Sequence, residues 1–205
     1  MTTPLPIVLL LLLAAYLIGG IPFGYILVRL KTGRDVRSMG SGNIGATNVL
    51  RTTGRGFGVL TLLLDIAKGW LAVWLAGRFT GGDAAWVAAC GVAVVLGHAF
   101  PVFLKFQGGK AVASFVGVAL ALAPWALLCV LIIFVLVVAF TRYISLGSIL
   151  GAGLFPFGVW LIYHPAWQVT AACAFCGAFI VWRHRANIDR LRAGTENVFS
   201  FGGKK

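Results

Sequence analysis

Three polar stretches interrupt a chain that is otherwise rich in apolar residues, and their residue types are those that bind phosphate. The first reads Gly40-Ser41-Gly42-Asn43-Ile44-Gly45-Ala46-Thr47-Asn48, with Arg51 soon after. Glycine permits positive φ and close backbone approach. Successive amide N–H groups in such a loop converge into an anion-binding nest. Ser41, Asn43, Thr47 and Asn48 add neutral donors, and Arg51 adds a cation about one helical turn beyond Asn48. The stretch reads as a phosphate cradle; a flexible glycine-rich turn between helices is the plainer alternative.

The second stretch runs from Gly97 to Lys110, GHAFPVFLKFQGGK. Gly108 and Gly109 allow the backbone to approach a ligand. Lys110 opens the next helix, whose N-terminal amides also favour an anion. A positive-inside lysine at a turn is the alternative, and His98 by itself reads as a hydrogen-bonded structural histidine. The third stretch is RHRANIDRLRAGTE, Arg183 to Glu196. On a helix His184 and Asn187 share a face at i, i+3, and Arg183 and Asn187 at i, i+4. A basic segment beside a membrane often serves only headgroup contact, but that role does not need the interspersed His, Asn and Glu. Two smaller features accompany these. Asp65 and Lys68 stand i, i+3 inside an apolar run, first as an ion pair lining the site and second with Lys68 touching substrate. Arg142, Ser145 and Ser148 in TRYISLGS bind phosphate or anchor the interface. The few carboxylates do not cluster, so neither a metal site nor a cofactor is expected.

The elements that carry these stretches must be membrane helices. Of 205 residues, 60% are hydrophobic, and the mean hydropathy is +0.97. Apolar runs recur near the roughly 20 residues that cross a bilayer as a helix, the form that satisfies its own backbone in lipid. The runs cover about 5–28, 57–77, 84–104, 111–139, 144–162 and 166–182. The fourth is long for one pass and divides at Ala123-Pro124 into two short helices, 111–122 and 125–139, because proline suits a helix start and restricts the residue before it. The positive-inside bias decides the count. With seven spans and the N-terminus outside, all of the 17 Lys and Arg except Arg78 and Lys68 fall on the cytoplasmic side, Lys204 and Lys205 included. With six, Arg142 and the basic C-terminus move out and the bias disappears. The expectation is an all-α polytopic membrane protein with seven transmembrane helices, C-terminus cytoplasmic, forming one domain over 1–205. Met1 to Pro6 lacks Lys and Arg, so the first run reads as an uncleaved span rather than a signal peptide. The net charge of +12 is spread over short loops and fits anionic substrates or lipid headgroups, not nucleic acid. Cys173 and Cys176 have redox-like spacing, but inside an apolar run they read as small apolar residues.

Taken together, the stretches resemble the bacterial acyl-phosphate:glycerol-3-phosphate acyltransferase family, the PlsY family. The matching pieces are GSGNIGATN with Arg51, Asp65-Ile-Ala-Lys68-Gly69, GHAFPVFLKFQGGK, TRYISLGS and RHRANIDRLRAGTE, in the family's order through nearly the whole chain. The resemblance implies a seven-helix enzyme of the bacterial inner membrane with its site at the cytoplasmic face. It implies transfer of a fatty acyl group from acyl phosphate to the 1-hydroxyl of glycerol 3-phosphate, giving lysophosphatidic acid and phosphate. Ser41, Asn43, Arg51, Lys110, His184, Asn187 and Glu196 line up with the family's site. The expected catalytic set is Ser41, Arg51, Lys110, His184 and Asn187. Gly40, Gly42, Asn43, Thr47, Asn48, Lys68, His98, Gly108, Gly109, Arg142, Ser145, Arg183 and Glu196 are expected to bind substrate. Partners are the two substrates, membrane lipids and the enzyme that supplies acyl phosphate. The chain departs from the family after Lys110, where Ala111 stands in place of the usual glycine and restricts the backbone. His184 and Asp189 also fit a His-x4-Asp pattern of another acyltransferase superfamily, but five helical residues turn about 500°, leaving the two about 140° apart, and the match is read as coincidence.

The chemistry agrees with the residues. An acyl phosphate is a mixed anhydride with a good leaving group, so the task is to bring two phosphates together and align a hydroxyl on a carbonyl. Proximity can lower such a barrier by roughly 7–11 kcal/mol, and cations and fixed dipoles offset the phosphate repulsion. Arg51, Lys105, Lys110, Arg142 and Arg183 with two glycine-rich loops meet that need. The base is either His184 or a substrate phosphate oxygen. Direct transfer is expected over an acyl-Ser41 intermediate, because no triad spacing surrounds Ser41. A phosphorylated-metabolite transporter and a non-catalytic lipid-binding scaffold are the rival classes. The first lacks the internal repeat expected of it, and the second does not explain GSGNIGATN.

Overall fold

The structure is a computed structural model that describes residues 3–199, so Lys204 and Lys205 lie outside the described residues. It is helical, with no strand among the described residues. Two compact units meet in sequence at Leu122 and Ala123.

In the first unit, α1 (Leu5–Gly20) begins after Pro4 and carries Pro6 in its first turn, where a missing N–H is harmless. The apolar run read as one span over 5–28 is a broken helix. Pro22 lacks an N–H and disfavours helix at Ile21, so α1 stops and α2 (Phe23–Thr32) starts anew, ending on Gly33 at φ 69°. A 3-10 turn, Val36–Ser38, leads to α3 (Ala46–Thr53). Then follow α4 (Arg55–Phe79), α5 (Ala84–Ala99), a second 3-10 turn at Val102–Leu104, and α6 (Val112–Leu122). Asp83 caps α5 by accepting the Ala85 and Trp86 N–H groups at 3.0 and 3.2 Å.

Helix α4 is the hub of this unit and packs on α1, α2, α3, α5 and α6. Its seam with α6 is made by reciprocal glycines. Gly69 lies on the Ser114 backbone and Gly117 on the Ile66 backbone, so a Cβ at either would overlap the facing main chain. Small residues let membrane helices approach this closely.

The second unit holds α7 (Pro124–Thr141), α8 (Ile144–Tyr163), α9 (Trp167–Arg183) and α10 (Arg185–Arg192), with α8 packed between α7 and α9. The turn expected at Ala123-Pro124 is present, with Pro124 in the first turn of α7. Helix α6 is short, 11 residues, whereas α7 extends to Thr141 and reaches 18, longer than the sequence pattern implied. Among the described residues, five segments are long and apolar enough to cross a membrane: Leu5–Thr32, Arg55–Phe79, Ala84–Leu104, Pro124–Thr141 and Ile144–Tyr163. Helices α6 and α9, at 11 and 17 residues, are shorter. Leu131, Val135, Phe140, Trp160 and Trp167 are exposed, as side chains facing lipid must be. Cys90, Cys173 and Cys176 are buried free thiols and Cys129 is exposed.

Candidate functional site

In the first unit the GSGNIGATN stretch is half loop and half helix, because Ala46, Thr47 and Asn48 form the first turn of α3. Gly40 and Gly42 sit at φ 56° and 70°, a region that favours glycine. The loop is organised by Asn48, which is buried. Its Oδ1 accepts the Ser41 N–H at 2.9 Å, and its Nδ2 donates to the carbonyls of Met39 (3.0 Å) and Asn43 (2.8 Å). Asn43 Oδ1 in turn accepts the Gly45 N–H at 2.8 Å. Upstream, Asp35 Oδ1 accepts the Arg37 N–H at 2.9 Å, and its carboxylate grips the Arg37 guanidinium, Nη2 to Oδ2 at 2.7 Å. That hydrogen bond holds the Asp35 carboxyl below the usual carboxylate range.

These bonds revise the expected nest. The amides of Ser41, Gly42 and Gly45 donate within the loop, to Asn48, Met39 and Asn43. What the stretch turns outward is the exposed Ser41 and Arg51, with the first turn of α3, where the helix leaves N–H groups without intrahelical acceptors. Asn48, expected to touch substrate, shapes the loop that carries Ser41.

The Gly108-Gly109-Lys110 loop is moulded on the end of α5. The Gly108 and Gly109 N–H groups donate to the Ala99 and His98 carbonyls, each at 3.2 Å. Gly109 also lies against the His98 ring with no room for a Cβ. The close approach that these glycines permit is therefore to His98 and Ala99. Lys110 precedes α6 rather than opening it, because Ala111 takes φ 64° and the helix starts at Val112. The backbone restriction expected at Ala111 is thus located: the residue is buried and left-handed. Both loops stand on one apolar floor, in which Val36, Ile44 and Val49 of the first meet Leu104 of the second and Val28 of α2.

His98 and Lys68 are buried beside these loops with partners of their own. Lys68 Nζ lies 2.8 Å from Asp65 Oδ1 and donates to the Ile21 carbonyl at 2.9 Å. This favours the ion-pair reading over substrate contact by Lys68. The pairing of His98 with Ser114 and Asp65 was not legible beforehand, since nothing in the spacing marks it.

In the second unit, His184 joins α9 to α10 and is buried. Its Nδ1 is 2.8 Å from the Ile180 carbonyl. A carbonyl only accepts, so Nδ1 carries a proton, and in the neutral ring Nε2 is left as the proton acceptor. Asn187 lies one turn along, buried, and donates from Nδ2 to Glu196 Oε1 at 2.8 Å. Glu196 Oε2 accepts Arg190 Nε at 2.8 Å. Burial pushes the Glu196 carboxyl up, but the hydrogen bonds from Asn187 and Arg190 outweigh it and hold the group below its usual value. Arg190 was missed by sequence reasoning. Arg142 takes φ 61° after α7, and its carbonyl accepts the Phe199 N–H at 2.8 Å, so the segment after α10 returns to the start of α8, where Ser145 is buried. Arg183 stacks on Trp182. Asp189 is exposed while His184 is buried, in keeping with a coincidental His-x4-Asp match.

Comparison with known proteins decides what this constellation belongs to. The family model described as glycerol-3-phosphate acyltransferase matches residues 9–204. The chain belongs to the glycerol-3-phosphate acyltransferase family. Relatives include the glycerol-3-phosphate acyltransferase of Geotalea daltonii, 47% identical over 93% of this chain and 97% of that one. That of Bordetella pertussis is 45% identical over 91% of this chain and 89% of its own. Among solved structures, the fold is similar to the crystal structure of PlsY (YgiH), an integral membrane glycerol 3-phosphate acyltransferase, in its glycerol 3-phosphate form. The TM-score is 0.90 with 39% identity, over 94% of this chain and 96% of that chain. The lysophosphatidic acid form of the same protein matches with a TM-score of 0.87.

Proposed function

We propose that this protein transfers a fatty acyl group from an acyl phosphate to the 1-hydroxyl of glycerol 3-phosphate, giving lysophosphatidic acid and inorganic phosphate. Family membership supports the acceptor and the product, since the similar solved structures are described with glycerol 3-phosphate and with lysophosphatidic acid. The acyl-phosphate donor is supported by the residues. Cations and hydroxyls are supplied for phosphate, and Ser41 has no base in triad spacing.

The observation that carries the reading is the hydrogen bond from His184 Nδ1 to the Ile180 carbonyl, which turns Nε2 into a base. Ser41, Arg51 and Lys110 hold phosphate oxygens. Asn187 positions glycerol 3-phosphate, and His184 Nε2 takes the proton of the 1-hydroxyl as its oxygen attacks the acyl carbonyl. The carbonyl-to-phosphate C–O bond breaks, phosphate leaves, and the proton passes from His184 to phosphate or water. Arg142, Ser145, Arg183 and Glu196 support the acceptor side.

On this reading the protein lies in the bacterial inner membrane with seven spans, N-terminus outside and the site at the cytoplasmic face. The five long apolar segments together with α6 and α9 support that count. An enzyme that makes acyl phosphate is the expected supplier.

Purified protein in a lipid phase, given palmitoyl phosphate, is expected to release phosphate and form lysophosphatidic acid only when glycerol 3-phosphate is present, and to do neither with palmitoyl-CoA. Turnover with palmitoyl-CoA and none with palmitoyl phosphate overturns the donor assignment.

A further inference from the structure

We propose that the buried cluster Asp65, Lys68, His98 and Ser114 sets the Gly108–Lys110 loop in its phosphate-holding position, with His98 as the positioning residue through which the cluster acts. The proposal rests on the reading of that loop as a phosphate holder.

The four side chains are 2, 4, 4 and 0% exposed. Asp65 and Lys68 sit inside α4, a membrane-spanning segment, where ionisable groups are expensive and persist when they pair or serve. The pair is already closed: Lys68 Nζ lies 2.8 Å from Asp65 Oδ1, and its remaining reach goes to the Ile21 carbonyl at the break between α1 and α2. A structural ion pair needs nothing more, yet a third titratable group is packed on it. His98 Nδ1 stands 3.7 Å from Asp65 Oδ1 and 3.1 Å from Ser114 Oγ. One edge of the imidazole is therefore held by α4 and α6. The opposite edge, Nε2 and its neighbouring carbons, is where Gly109 packs without room for a Cβ, and the His98 carbonyl accepts the Gly109 N–H.

The consequence is mechanical. Lys110 follows Gly109 directly, and Ala111 after it is buried in a left-handed conformation. The lysine is held between a backbone seated on the His98 ring and a backbone locked into the start of α6. A ring that tilts carries Gly109 with it and moves the Lys110 amine relative to the phosphate it holds. Because α4 also bears Gly69, which lies on the Ser114 backbone, the cluster and the α4–α6 seam keep one register. Asp65 and Ser114 thus act on substrate only through His98 and Gly109.

The test is a double-mutant cycle on the full-length protein in a lipid phase, with KM, kcat and inhibition by inorganic phosphate measured in each variant. Gly109→Ala pushes a methyl group into the ring, and is expected to raise the KM of a phosphate substrate and the Ki of inorganic phosphate about tenfold or more. In a His98→Ala background the methyl has room, so the same change is expected to add no more than about twofold. Ser114→Ala, a mild change, is expected to raise KM about threefold with kcat nearly unchanged, and Ser114→Thr, which keeps the hydroxyl, to leave KM nearer the wild-type value than Ser114→Ala does, whatever its added methyl costs in stability. Additive effects of His98→Ala and Gly109→Ala overturn the inference in an active enzyme. So does a Ser114→Ala protein that lowers only thermal stability and leaves both KM and Ki alone. A wild-type protein without acyl transfer overturns the functional reading, and this inference with it.

Discussion

The Asn187 amide donates to Glu196 Oε1 at 2.8 Å, while the other oxygen of the same carboxylate accepts Arg190 Nε at 2.8 Å. One buried carboxylate thereby orients the Asn187 amide and ties the chain after α10 back onto it. Glu196 needs no contact with substrate to matter under the proposed function, because a side chain that fixes Asn187 also fixes which way its amide points.

Replacing Glu196 by Gln puts an amide N–H2 opposite a donor. The variant is expected to lose about 1–3 kcal/mol of stability, the range for a hydrogen bond to a charged group and its unsatisfied partner. Because the folded carboxyl titrates below its usual value, this stabilisation is complete above the ordinary glutamate pKa of about 4.3 and fades as pH falls through the lower folded value. Melting temperatures of wild type and Glu196→Gln should converge on acidification; a gap that widens toward acid contradicts the assignment.

Asn48 offers one acceptor to Ser41 N–H and one amide group to the carbonyls of Met39 and Asn43. Asn48→Asp is expected to be worse than Asn48→Ala, since it sets a carboxylate against two carbonyl oxygens and buries a charge as well. The alanine variant should lose about 2–3 kcal/mol and most of its kcat, because Ser41 is no longer held. Thermal unfolding of the two proteins side by side gives the order, and an aspartate variant more stable than the alanine one would falsify the hub.

His184→Asn keeps a donor for the Ile180 carbonyl, as the Asn amide reaches where Nδ1 was, but removes Nε2. The folded protein should retain its melting temperature while kcat falls by about 10²–10⁴, the usual contribution of a positioned general base. A variant with near-normal kcat would hand the proton to a substrate phosphate oxygen instead.

Ala111 at φ 64° is buried. Ala111→Gly relieves about 1–2 kcal/mol of left-handed strain, against about 0.8 kcal/mol for a lost buried methyl and about 0.4–1 kcal/mol for a freer unfolded chain. The net change should lie within about 1 kcal/mol of zero. Ala111→Val, branched at Cβ and crowded, should lose about 1–3 kcal/mol from overpacking alone, with strain in addition. Denaturant unfolding of the pair checks both, and a valine variant as stable as wild type would remove the left-handed turn from the account.

Much of this protein is determined by local sequence, and the reason is lipid. A helix in a bilayer satisfies its own backbone and turns apolar side chains outward, so hydropathy and proline place its ends without knowledge of neighbours. The turn at Ala123-Pro124 and the ion pair of Asp65 with Lys68, one turn apart on α4, follow from spacing alone. The cations, hydroxyls and amides that the proposed function assigns to phosphate in GSGNIGATN, GGK and RHRAN are likewise present in residue type. The break at Ile21-Pro22 shows the limit of hydropathy. The run is apolar on both sides of it, and hydropathy alone does not register a lost backbone N–H.

Tertiary structure decided which polar groups are paired with one another. Asn48, His98 and Glu196 are chemically able to bind substrate, and the sequence offers no way to tell that each is turned inward. Their partners, Met39 and Asn43, Ser114 and Asp65, Asn187 and Arg190, are chosen by how the backbone folds back on itself. Buried donors and acceptors must be paired wherever the chain brings them, and where it brings them depends on contacts between residues far apart in sequence, which local pattern does not encode.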